Sequence, residues 1–392
     1  MNRTRSLSVL LLLGASVACG TAPGVPGKDV TTGEVVSDGA DFEEVGDVEG
    51  PSNEQDDSGE DATTDSEADV DVGDTGDAGE TGETDDGFER EPPTADAFAA
   101  LAEEARAERI QVYTVDASYY IYLTGEQGTI LDIPMGTLTY ADATRVSGRV
   151  DIELVELYDK GSMLVTDMPS TGRNGDGDRA QLISGGEHYI NANQDGAQLG
   201  LASEIRVLAP VENTGAASSE MTRFRAVTES GDVAGLDDAD VWVEEDAKID
   251  VVRGEADGGV MTAYSVLTSQ FGWTNVDRWY SDPREKTTLE VRPPEGWDDS
   301  NSAVYLSYDG EPTALAGLDT FDDVAGIFSE HYGLIPVGLE VHVIFVTATD
   351  DGWAYAIEGT TIAAGQQITF DDPDALIEID TDGLVDVINA LP

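Results

Sequence analysis

From Gln111 onward, apolar and polar residues alternate in short runs that Gly, Pro and Asp-Gly pairs interrupt. Alternation sends successive side chains to opposite faces of an extended backbone, so the pattern predicts strands. One series of runs covers 111–115, 119–123, 129–133, 146–158, 181–183, 188–193, 197–201 and 205–207; a second covers 288–291, 303–308, 328–332, 339–346, 353–357 and 367–370. In the run 146–158, Arg149, Asp151 and Glu153 alternate with Val150, Ile152 and Leu154, the pattern of a strand with one wet face. Asp159-Lys160-Gly161 then reads as a turn. Between the two series, 224–227 and 241–243 read as strands, and 260–267 reads as a strand or short helix ahead of the aromatic run 271–280. A different period precedes them. Residues 95–110 are rich in helix formers, with Phe98, Leu101, Ala102 and Ala105 on one face and Thr94 or Asp96 as the cap, which predicts a helix.

The expected fold class is therefore all-β. Two β-sandwich-like domains, 111–210 and 286–372, are joined by a small bridging region at 221–285 and preceded by the helix 95–110. An acidic tail, 373–392, ends the chain, and its apolar stretch 384–388 caps an edge or forms a brief helix.

Composition changes this picture at the N-terminus. Arg3 and Arg5 precede an apolar run at 7–17, too short to span roughly 30 Å of hydrocarbon, so residues 1–18 read as a signal peptide. The run stops at Ser16-Val17-Ala18-Cys19, and Cys19 is the sole cysteine of the chain, so no internal disulfide forms. From Asp29 to Glu89 there are 24 Asp and Glu and no Lys, Arg or His. Scattered valines with Phe42 and Phe88 do not suffice for a core, and 19–94 is expected to be a long disordered acidic linker reaching about 45 Å on average. Such a segment serves as a spacer, or as a weak sponge for divalent cations.

The acidity continues beyond the linker. Residues 90–392 carry 56 acidic and 17 basic side chains, a balance of −39. Phosphate recognition needs a basic face, so nucleic acid and anionic lipid surfaces are excluded as partners of this part. A folded surface this acidic suits a salty habitat in which self-repulsion is screened, or else a dedicated cationic ligand, and composition alone does not separate the two.

Two resemblances rest on quoted residues. Ser16-Val17-Ala18-Cys19 resembles the lipobox of bacterial lipoproteins, which implies acylation of Cys19 and attachment to the bilayer; the other reading is a plain signal peptide cut near Ala18, leaving Cys19 a free thiol. Thr21 follows Gly20, with no Asp at the position that retains such proteins at the inner membrane, so the resemblance implies the cell outer membrane. Gly128-Thr-Ile-Leu-Asp-Ile-Pro134, the alternation from Val146 to Glu156, and Gly185-Gly186-Glu187-x-x-Ile190 resemble β domains of extracellular or lipid-anchored bacterial proteins, and are distantly similar to the ZU5 module, a β-sandwich used for protein contacts. What this implies is interaction rather than chemistry. The strand layout of 286–372 also resembles prealbumin-like and carboxypeptidase-regulatory accessory domains.

Three sets of residues are candidates for chemistry. Asn174, Asp176 and Asp178 put oxygens on alternate positions of a glycine-rich loop, as at the start of a looped calcium site, or else form an exposed polar loop. Trp273, Trp279, Tyr280 and Trp297 form a platform for a glycan or peptide, or else plug cores. His188, His331 and His342 lack the spacing of a zinc site. No nucleophile elbow, phosphate loop or dinucleotide fingerprint occurs. The expectation is a non-enzymatic, envelope-anchored lipoprotein requiring no cofactor, whose β domains make structural or adhesive contacts with other envelope proteins or glycans. The alternatives are a carbohydrate- or calcium-binding (Ca2+) surface module and a cryptic hydrolase. Oligomeric state is not set by these patterns.

Overall fold

The computed structural model describes residues 42–45, 90–256, 259–330 and 333–392. The expected signal peptide 1–18, Cys19, nearly all of the expected linker 19–94 and His331 lie outside the described residues. What is described is largely β-structured, with several sheets and few, short helices.

The first sheet runs Phe42–Glu44, Asp250–Ala256, Gly259–Thr268, Ile205–Pro210, Ile130–Ile133 and Ile121–Thr124, antiparallel throughout. The second runs Gly272–Trp279, Thr222–Val227, Val241–Lys248, Thr171–Arg173, Arg179–Gln194, Arg149–Leu157 and Gln111–Asp116. Gly272–Trp279 also pairs with Arg179–Gln194, so part of this sheet closes on itself. Residues 221–285, expected as a bridge, thus supply strands to both sheets. Their period is hard to read because these strands are covered on both faces for part of their length.

The third sheet runs Leu315–Gly317, Ser302–Tyr308, Glu340–Thr349, Gly352–Thr361 and Ile377–Ile379. The fourth runs Thr320–Asp322, Ile327–Ser329, Leu289–Arg292 and Gln366–Thr369, its last pairing parallel.

Three large cores follow from which side chains each strand sends to each face. The first lies between sheets one and two: Val150, Ile152 and Leu154 meet Leu131, Ile133, Val207 and Val266. The third lies between sheets three and four: Val341, Val343 and Phe345 meet Leu289, Val291 and Ile368. The second core joins the two pairs. Val155, Leu157, Phe224, Trp242 and Trp273 pack with Tyr305, Ile344, Val346 and Trp353. Odd and even positions of Glu340–Thr349 therefore serve different cores, which explains why its sequence is a continuous apolar run rather than an alternation.

Three helices fill the second core. Helix α1, Ala95–Glu108, starts where Thr94 Oγ1 accepts the Ala97 amide at 3.2 Å, and seats Phe98 edge-on against Trp353. Helix α2, Lys160–Val165, replaces the turn expected at 159–161: Asp159 is its N-cap, accepting Ser162 N at 2.8 Å, and all six helical residues are buried. Helix α3, Thr381–Asn389, comes from the expected acidic tail and inserts Leu384 and Ile388 beside α2. There a Cβ on Gly161 would lie 2.5 Å from the Val385 carbonyl oxygen, so this close approach requires glycine.

Within the acidic linker, Phe42–Glu44 is a strand. Phe42 opposes Gly254, and Glu44 opposes Val252. The Phe42 ring joins Ile130, Leu208, Val252, Met261 and Ala263. The edge strand Asp250–Ala256 offers unpaired backbone groups, and an extended segment with one large apolar side chain is enough to use them.

Candidate functional site

Asn174, Asp176 and Asp178 occupy the hairpin loop between Thr171–Arg173 and Arg179–Gln194. Asn174 Oδ1 accepts the amides of Asp176 at 2.9 Å and Asp178 at 3.0 Å, and Asn174 N donates to Asp178 O at 2.8 Å. The oxygen expected to be the first ligand is thus turned onto backbone amides, an Asx-type closure of the loop. Among the described residues, no group of three or more His, Cys, Asp and Glu converges as a metal-holding set.

The four aromatics do not share a surface. Trp273 is 1% exposed, edge-on to Trp242, with Nε1 donating to Leu236 O at 3.2 Å. Trp297 is 3% exposed and donates to Thr347 Oγ1 at 3.0 Å. Tyr280 packs its edge on Tyr308 at 5.1 Å. Trp279 alone reaches a concavity, a groove of about 610 Å³ that also holds Asn174, Arg173, Thr222, Glu244 and Glu245. Its Nε1 donates to Glu244 Oε2 at 2.8 Å, while Arg223 and Arg225 both pair with Glu245. The fold therefore brings one member of the candidate calcium loop and one member of the aromatic set together.

The two described histidines, His188 and His342, are separate. His342 Nδ1 lies 2.8 Å from Asp309 Oδ1. His188 is fully buried, with Nε2 at 2.8 Å from the Tyr158 hydroxyl, which in turn meets Thr129 Oγ1 at 2.7 Å. Burial holds His188 down to about 3, so it is neutral.

A second concavity, of about 410 Å³, lies where Thr171 and Trp242 face Tyr305 and Gly317. Asp167, Asp240, Asp299 and Asp319 line it with Arg179. Arg179 spans Asp240 at 2.7 Å and Asp319 at 3.3 Å, and Arg173 reaches Asp240 at 3.0 Å. Tyr305 donates to Asp167 Oδ1 at 2.7 Å, and burial, then Asp167, pushes its phenol well up. Asp167 follows α2 with φ of +51°, the left-handed geometry of a helix C-terminus.

A third polar set is wholly enclosed. Ser184 and Glu187 on Arg179–Gln194 face Asn275 and Asp277 on Gly272–Trp279, and none is more than 1% exposed. Asn275 Nδ2 lies 2.7 Å from Asp277 Oδ2 and 3.3 Å from Glu187 Oε1, and Ser184 Oγ lies 3.0 Å from Asn275 Oδ1. Glu187 Oε2 and Asp277 Oδ1 are buried with no hydrogen-bond partner. A bulge makes this arrangement. Asn275 pairs with Glu187 and Asp277 with Ser184, so Gly185 and Gly186 supply the extra residue. Gly186 has φ of +124°, and a Cβ there would lie 2.3 Å from the Tyr158 ring.

No family model and no curated protein matches the chain.

Sequence reasoning did not single out this enclosed set among 80 acidic residues. A signal was present: in Trp273-Thr-Asn275-Val-Asp277-Arg-Trp279, alternation puts the Asn and Asp on the face that carries both tryptophans. A polar pair between two rings that pack on a core lies on the core-facing side of its strand.

Proposed function

We propose that the chain is a non-enzymatic lipoprotein of the cell outer membrane, attached through acylated Cys19, whose β body makes structural or adhesive contacts outside the cell. The finer architecture of this reading is two β-sandwich-like pairs of sheets, one and two, three and four, set back to back across the second core. The observation that carries it is the cleft in which four aspartates, Asp167, Asp240, Asp299 and Asp319, outnumber Arg179 and Arg173. Asp240 and Asp319, held by Arg179, and Asp167, held by Tyr305, need little reordering to accept a positively charged group on a protein partner; Asp299 adds an exposed carboxylate, and a negative concavity steers such a group inward. The likeness of 128–190 to contact-making modules agrees with it.

In cells, the wild-type protein is expected in the outer-membrane fraction with labelled palmitate incorporated, and Cys19→Ala in the soluble fraction. Unlabelled wild type, or C19A still in the membrane, sinks the anchor. Cross-linking of envelope proteins to the body is expected to weaken at least tenfold in Asp299→Asn/Asp319→Asn; unchanged cross-linking removes the cleft from the contact.

A second reading has one observation in its favour. The half-buried Trp279 ring beside Asn174 and Glu244 in the groove of about 610 Å³ is the combination of flat apolar face and fixed polar groups that suits a sugar. Trp279→Ala abolishing retention on an envelope glycan, with Asp299→Asn/Asp319→Asn unchanged, would favour it.

A further inference from the structure

We infer that Glu187, Asp277 and Asn275 hold a calcium-sized divalent cation, enclosed between the strands Arg179–Gln194 and Gly272–Trp279, a site separate from both surface concavities. Two carboxylates enclosed together are costly: each buried charge carries a penalty of several kcal/mol unless a partner offsets it. Yet one oxygen of each, Glu187 Oε2 and Asp277 Oδ1, has no hydrogen-bond partner at all. Their other oxygens share a single amide nitrogen, that of Asn275. Among the described residues, no Lys or Arg makes a hydrogen bond or ion pair with either carboxylate. The set is therefore a pair of acids without a counter-charge, and two unit charges match one divalent ion.

The donor chemistry agrees. Calcium takes six to eight oxygens and accepts carboxylates in one- or two-oxygen modes, together with amide carbonyls and hydroxyls. Two carboxylates and one amide oxygen supply up to five such atoms, and Ser184 Oγ stands next to them. The amide of Asn275 is read either way round by its surroundings. Turned over, its oxygen joins the carboxylates and its nitrogen donates to Ser184 Oγ, now 3.0 Å from Oδ1. The bulge at Gly185-Gly186 is the device that aims Glu187 inward: Gly186 is required, since a Cβ there would overlap Tyr158, and Gly185 fits closely, a Cβ there lying 3.0 Å from the Val276 carbonyl oxygen. Magnesium, smaller and reluctant to shed water, suits a dry enclosure less well.

The test is thermal unfolding of the full chain in chelator, in 1 mM calcium, in 1 mM magnesium, and in sodium chloride at matched ionic strength. Calcium is expected to raise Tm by about 5 °C beyond the sodium control, and E187Q/D277N is expected to lose that increment while keeping the general response to salt. Equal rises in calcium and sodium, or a calcium increment that survives in E187Q/D277N, overturn the proposal. If that variant does not fold, elemental analysis of the wild-type chain decides, after dialysis from calcium into sodium chloride concentrated enough to strip diffuse counterions. One retained calcium per chain supports the site, and none overturns it.

Discussion

At the scale of single residues, the buried titratable groups pull stability in opposite directions as pH changes. His188 is held down to about 3 by burial against an ordinary value near 6.5. Its contribution is therefore complete above 6.5 and is lost as pH falls from 6.5 towards 3, roughly 4 kcal/mol over the whole window. Glu187 and Asp277 are raised by burial, so their effect has the other sign: without a cation they favour the fold at low pH, and stability falls as pH rises through their shifted range. His188→Gln keeps a polar group near Tyr158 without the titration. Urea unfolding between pH 3.5 and 7 should show the variant losing less stability than wild type on acidification; parallel curves would remove His188 from the acid response. Tyr158, Thr129 and the nearby Glu156 are the polar groups around this ring, and Glu156 is occupied by the amides of Gln127 and Thr129. Gly186→Ala should cost about 2 kcal/mol or more, from its φ alone, before the overlap with Tyr158 is counted. A variant as stable as wild type by urea unfolding would mean the bulge can move.

At the scale of elements, legibility followed exposure. The first half of the strand Arg149–Leu157 and the helix Ala95–Glu108 lie where alternation or helical periodicity put them, because one face of each meets a core and the pattern records it. Runs 181–183 and 188–193 read as two strands, yet Arg179–Gln194 is continuous, since Gly185-Gly186 forms a bulge that period counting takes for a break. The six residues of α2 are buried on every side, which erases any period, and only the Asp159 cap marks them. Among candidate site residues, Asn174 and Trp279 were legible as polar-loop and aromatic signals, whereas Glu187 and Asp277 were not, because a charged residue advertises solvent unless its neighbours are read with it. The helix from the acidic tail offers a direct check. Leu384 and Ile388 are fully buried, and Leu384→Ala or Ile388→Ala should each cost about 2–5 kcal/mol, read as a lower urea midpoint. A loss below about 1 kcal/mol would mean that α3 rests on the body without completing its core.

For the whole molecule, the second core decides how the parts behave. Trp242 and Trp273 share it with Tyr305, Ile344 and Trp353, so neither half covers its own apolar face alone. A single calorimetric transition is expected for the described body, and residues 90–285 or 286–392 expressed separately should aggregate or stay unfolded. Two resolved transitions, or a well-folded half, would contradict the shared core. Residues 90–392 carry a balance of −39, so added sodium chloride should raise Tm steadily through the first few hundred millimolar as repulsion is screened.

The strand Phe42–Glu44 bears on how a body anchored as proposed would be shed. Both ends of the segment 46–89 are pinned to the same body, by pairing with Val252–Gly254 at one end and by the Arg90 contact with Glu378 at the other. A protease that nicks the chain once between them does not set the body free at that moment. The two fragments stay joined by residues 42–45, through strand pairing, the Phe42 ring and Val45, and shedding waits for that segment to peel away. Phe42→Asp would turn a delayed departure into an immediate one.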